Sequence, residues 1–156
     1  MKDSIRLLLV IFLISAICGC KKGGAPTPEP FPDTTKPTIS VSKPTPGQFF
    51  TAGNAIIFQA SFSDNEKLAS YEISVTRVVS GGFFLKVVPA LVPFSFTKSP
   101  TSFNPGVKQQ EINITDIIIP LNTTTTIVTP GKYNFKVSCN DASNNSASTT
   151  TEININ

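Results

Sequence analysis

The chain has 156 residues, 13 of them basic and 10 acidic, with no histidine and no tryptophan. That length supports one domain with a real core. Lack of histidine removes the commonest general base and the commonest zinc ligand, lack of tryptophan removes the strongest stacking platform for sugars, and a formal charge of +3 without clustered Lys and Arg gives no footprint for nucleic acid.

At the N-terminus, Lys2 and Arg6 precede an apolar run from Leu7 to Ile17, which closes on Ile17-Cys18-Gly19-Cys20. A spanning helix needs about 20 apolar residues, and Arg6 and Lys21-Lys22 bracket fewer than that. The layout is that of a secretory signal. It resembles the bacterial lipobox, which implies cleavage before Cys20 and lipid on its thiol. Residues 1–19 are then a signal peptide, and the protein is expected at the cell envelope, held in a membrane through Cys20, with the outer membrane the expected one. Loss of Lys2, Arg6 and Asp3 takes 13 basic and 10 acidic residues to 11 and 9, so the mature charge is +2. Cys18 is discarded and Cys20 acylated, so Cys139 has no partner for an intrachain disulfide.

Residues 20–37 follow as the lipidated cysteine and a stalk. Prolines 26, 28, 30, 32 and 37 keep this stretch extended at about 3.1 Å per residue, roughly 50 Å of reach.

From residue 38 to 156 the period is two. Ile39 and Val41 alternate with polar neighbours, and so do Ile56, Phe58, Ala60 and Phe62. Tyr71, Ile73 and Val75 continue the pattern, as do Tyr133, Phe135, Val137 and Cys139. Each run predicts a strand with one buried and one wet face, and puts the Cys139 thiol inside. Ile112 and Ile114 with Ile117 and Ile119 predict a strand that slips at Thr115-Asp116, as at a bulge. Thr151, Ile153 and Ile155 close the series. Turn residues separate the runs, with Gly81-Gly82 the best hairpin signal. Pro89 to Pro105, with four prolines and phenylalanines 94, 96 and 103, is expected to cross between sheets with rings beneath it rather than form a central strand. In the adjacent pairs Phe49-Phe50 and Phe83-Phe84, one ring of each is a candidate for exposure. The fold class is all-β, an immunoglobulin-like antiparallel β-sandwich of about seven strands.

Four segments, Asp33 to Ile39, Phe62 to Tyr71, Pro93 to Lys98 and Gly131 to Asn145, resemble an Ig-like domain family of Bacteroidota lipoproteins whose function is unassigned. The resemblance covers essentially the whole mature domain and implies the same sandwich.

Strand parity locates the candidate site. If the strands alternate in direction, the loop after Phe62, the loop after Cys139 and the lead-in at Asp33 meet at one pole. Asp33, Asp64, Glu66 and Asp141 converge there in this reading, together with asparagine carbonyls. Such an oxygen-rich set suits Ca²⁺; the same residues also suit plain Asx-turns. Asp33-Thr34-Thr35 resembles the short Bacteroidota acceptor motif for O-glycosylation, with Thr34 the acceptor. Asp64 and Glu66 are formally a carboxylate pair, yet no nucleophile with a base, phosphate loop or cofactor motif appears. The expected function is a non-enzymatic, lipid-anchored binding or adhesion module, or an accessory subunit of a surface assembly, with a protein or glycan partner and no nucleic acid. The alternatives are a glycan-binding lipoprotein of a polysaccharide-uptake system and, from another class, an envelope hydrolase.

Overall fold

Alternating sequence becomes strand where one face can be buried, and the computed structural model shows this over residues 31–79 and 89–156, the residues it describes. The signal run, Cys20, residues 21–30 of the stalk, the Gly81-Gly82 turn and Phe83-Phe84 lie outside them. Pro32–Asn156 form a compact unit. Among the described residues there are strands and no helix, and hence no helix long and apolar enough to cross a membrane.

Seven strands are long: β1 (Thr38–Lys43), β3 (Ala55–Ser63), β4 (Leu68–Arg77), β6 (Phe96–Ser102), β7 (Gln109–Ile118), β9 (Gly131–Asp141) and β10 (Ser146–Ile155). Three are short: β2 (Phe49–Phe50), β5 (Ala90–Val92) and β8 (Thr126–Val128). One sheet has the order β1-β3-β7; the other runs β2-β10-β9-β4-β6, and β5 pairs with β8 separately. The long strands pair antiparallel throughout.

The two sheets meet through their inward rows. Ile56, Phe58 and Phe62 of β3 and Tyr133, Phe135 and Val137 of β9 are buried, and the rings of Phe58 and Phe135 stack across the interface at 5.5 Å. Truncating a ring so placed costs about 3–5 kcal/mol. Nearer the Asp33 end, Phe62, Tyr71 and Phe103 form a ring triangle with centroids 5.1–5.6 Å apart. Phe103 thereby pins the crossing from β6 to β7 onto the core.

The slip in β7 is where its sequence predicts it. Ile56 pairs with Ile117 and Phe58 with Ile114, so Ile57 faces both Thr115 and Asp116. The extra residue restores Ile117 and Ile119 to the buried face. The proline-rich segment differs from its expectation in part: it supplies β6, an edge strand paired to β4, and the crossing comes only after it. Pro100 is tolerated because Tyr71 pairs with Thr101 and Ile73 with Lys98, leaving Ser99-Pro100 as a bulge opposite Glu72. Phe94 and Phe103 are the rings held beneath this segment, and Phe50 is buried while Phe49 is exposed.

Candidate functional site

Two carboxylates reach the pole by continuing the inward rows of their strands. Phe62 is the last buried ring of β3 and Asp64 follows two residues on; Cys139 is the last apolar residue of the β9 row and Asp141 follows two residues on. Strand alternation points both residues between the sheets. Asp141 is 2% exposed. Asp33 comes in from the lead-in, tied down by the Asn145 amide, which donates to the Asp33 carbonyl at 3.1 Å.

Each aspartate spends one oxygen or more on its own loop. Asp64 Oδ2 accepts the Glu66 and Lys67 N–H groups, both at 2.9 Å. Asp141 Oδ1 accepts from Ser143 and Asn145 N–H, and its Oδ2 from the Asn145 amide. Asp33 Oδ1 accepts from Thr35 N–H at 2.9 Å and the Asn65 amide at 3.0 Å. Those bonds, the Thr35 N–H first and the Asn65 amide next, hold the Asp33 carboxyl below its ordinary value. The Asx-turn reading is therefore correct as far as these oxygens go. Two others are left over: Asp33 Oδ2 and Asp64 Oδ1 are shut from water and accept no hydrogen bond.

Asp33, Asp64 and Asp141 offer oxygens that all lie within 4.8 Å of one another. Two ligands of one Ca²⁺, each at about 2.3–2.6 Å, are at most roughly 5 Å apart, so a single ion can be shared by all three. Glu66 is not part of this group. Its N–H caps Asp64, which leaves the residue exposed at the loop tip. The asparagines also differ from expectation, since Asn65 and Asn145 turn their amide donors, not their carbonyls, toward the aspartates. Thr34 lies exposed in the turn closed by Thr35 and Asp33.

The loops around the cluster are clamped by the segment just before β7. Asp64 N–H donates to Lys108 O at 2.8 Å, Leu68 N–H to Val107 O at 2.9 Å, and Lys108 Nζ to Asn65 O at 2.6 Å. Lys108 was invisible as a participant in sequence, because it stands alone before β7 with no motif around it. Asn65 and Asn145 had a weak signal in their closeness to Asp64 and Asp141.

At the other pole, the Tyr133 hydroxyl donates to the Thr129 carbonyl four residues upstream at 2.6 Å and accepts the Phe94 N–H at 3.3 Å. This is the tyrosine corner of Greek-key sandwiches. The topology and this corner define the class: an all-β, immunoglobulin-like sandwich. The chain belongs to the family described as Domain of unknown function (DUF4625), whose model matches residues 18–156. No curated protein matches this chain. Among solved structures it is similar to the fibronectin(III)-like modules of Clostridium thermocellum CbhA, at 14% identity over 76% of this chain and 94% of that one, with a TM-score of 0.43. It is also similar to the sporulation control protein Spo0M of Bacillus subtilis, at 12% identity, 77% and 48% coverage and a TM-score of 0.39. A β-glucosidase from Listeria innocua shows 9% identity over 85% of this chain and 20% of the enzyme, with a TM-score of 0.39. At these scores the fold assignment rests on the strand pairing itself.

Proposed function

We propose that this protein is a non-enzymatic, lipid-anchored binding or accessory module of the cell envelope, whose stalk-proximal pole is stiffened by one Ca²⁺. The observation that carries the calcium reading is the pair of buried, unpartnered oxygens, Asp33 Oδ2 and Asp64 Oδ1, beside Asp141. Buried carboxylate oxygens without a donor are destabilising unless a cation or hydrogen bond meets them. Ca²⁺ accepts irregular oxygen sets of this kind, and the low-lying Asp33 carboxyl stays ionised at neutral pH. Asp33 belongs to the lead-in and the other two to the sandwich, so a shared ion would tie stalk to domain. The anchoring part rests on the Ile17-Cys18-Gly19-Cys20 sequence and the proline-rich stalk.

Thermal unfolding of residues 20–156 in calcium and in chelator tests the site. An ion bound only by the folded state adds about 2.7 kcal/mol at one hundred times Kd, which raises the melting midpoint by about 10 °C for a domain of this size. Asp64→Asn keeps an oxygen for capping Glu66 and Lys67 while removing the charge. It should abolish most of the calcium response and slightly raise the calcium-free midpoint, since one repelling carboxylate is gone. Identical midpoints with and without calcium, and no heat on titration at millimolar calcium, would refute the site.

A further inference from the structure

The outer face of the β1-β3-β7 sheet is concave, with a hollow of about 590 Å³ lined by Ser40, Ser42, Gln59, Ser61, Glu111 and Asn113. The register sets these side chains in two ranks across the strands: Ser40, Ser61 and Glu111 in one, and Gln59 with Asn113 in the next. Bulges in both edge strands lie at the same end of the hollow, between Val41 and Lys43 in β1 and at Thr115-Asp116 in β7. Bulges bend the strands that carry them, which accounts for the curvature. Among the described residues, Gln59, Ser61, Glu111 and Asn113 commit none of their side-chain polar atoms to an intramolecular hydrogen bond or ion pair.

We propose that this hollow binds a neutral oligosaccharide, a reading that rests on the binding-module function above and names its ligand class. Amides and a carboxylate offer planar donor and acceptor pairs, and serines offer groups that do both. A sugar ring presents the matching hydroxyls. Glu111 is the one ionised side chain among the residues lining the hollow, so the charge complement is a neutral chain; an acidic one would meet an unbalanced carboxylate. The sheet backbone holds these groups in place before binding, which reduces the ordering cost. No aromatic ring lines the hollow, so binding is by hydrogen bonds and is weak.

The test is affinity electrophoresis of residues 20–156 in gels containing mannan, xyloglucan or amylopectin, with polygalacturonate as the acidic comparator. At least one neutral polysaccharide should retard the protein and polygalacturonate should not. Glu111→Gln and Asn113→Ala, both on the solvent face, should each weaken that binding about fivefold to tenfold, as for loss of one hydrogen bond, with unchanged melting midpoints. Lys136→Ala on the outer face of the other sheet should leave it unaltered. Retardation by none of the three neutral polysaccharides overturns the assignment, and so does binding that survives Glu111→Gln and Asn113→Ala or prefers polygalacturonate. Those failures leave the anchoring and calcium readings standing, because each has its own measurement.

Discussion

Burial pushes the Cys139 thiol up to about 12, and the charges of Asp64 and Asp141 act in the same direction. A thiol so placed has almost no thiolate at neutral pH and is inert. Labelling of the folded domain should be slow and become rapid only in denaturant; fast labelling in native buffer would contradict the register of β9. Tyr133 is the other decisive residue. Its hydroxyl serves two backbone groups, so Tyr133→Phe should destabilise by about 1–2 kcal/mol in denaturant titration, leaving the Phe94 N–H without its acceptor. Burial raises the Tyr133 hydroxyl above its usual 10.0, against the opposing pull of the Phe94 N–H and Arg77. The folded state therefore holds this proton more tightly than the unfolded chain. The resulting stability is complete below pH 10 and is lost as pH rises through the folded-state value. The gap between wild type and Tyr133→Phe should narrow over that range, and a constant gap would mean that the hydroxyl ionises equally in both states.

Among elements, the turn before β3 shows where backbone conformation outweighs packing. Gly53 has φ +87, and its N–H donates to Ile119 O while Ile119 N–H returns to Asn54 O. A Cβ at this position meets the Leu121 side chain, which is exposed and free to swing aside. The cost that remains is the left-handed backbone, about 1–2 kcal/mol for a residue with a Cβ. Gly53→Ala should lower stability by that amount in urea unfolding, and adding Leu121→Ala should not restore it. A full rescue would show that the cost was steric. Elements differ in how far sequence exposes them. Rows in β3, β4 and β9 were legible because alternation is a local consequence of strand geometry, and the β7 bulge was legible because it breaks that alternation once. β6 was not, since the four prolines of Pro89 to Pro105 read as a crossing between sheets, although its place at the edge agrees with their exclusion from a central strand. On an edge strand the missing N–H of Pro100 falls in a bulge and no ladder bond is forfeited.

At the scale of the whole molecule, the proposed anchor and the sandwich rest on separate determinants. Cys20→Ser in the native host should abolish acylation and leave uncleaved precursor, with the protein lost from the membrane fraction; wild-type protein free in the periplasm without lipid would refute the anchor. The candidate site was only half legible. Asp64 and Asp141 follow from the inward rows that end at Phe62 and Cys139, because period two is a property of the chain's own backbone. Sequence by itself thus determined the alternating strands β3, β4, β7 and β9, their buried faces and the burial of the Cys139 thiol. It did not separate Glu66 from the other three carboxylates. That was decided by the Asx-turn at Asp64, which draws the Glu66 N–H in and leaves its residue at the exposed loop tip. Tertiary structure alone also set the distances at the pole, where residues 33, 64 and 141 meet through loop clamps from Lys108 and Asn145. Contacts between residues so far apart along the chain depend on the geometry of every strand between them, and no local pattern carries that information.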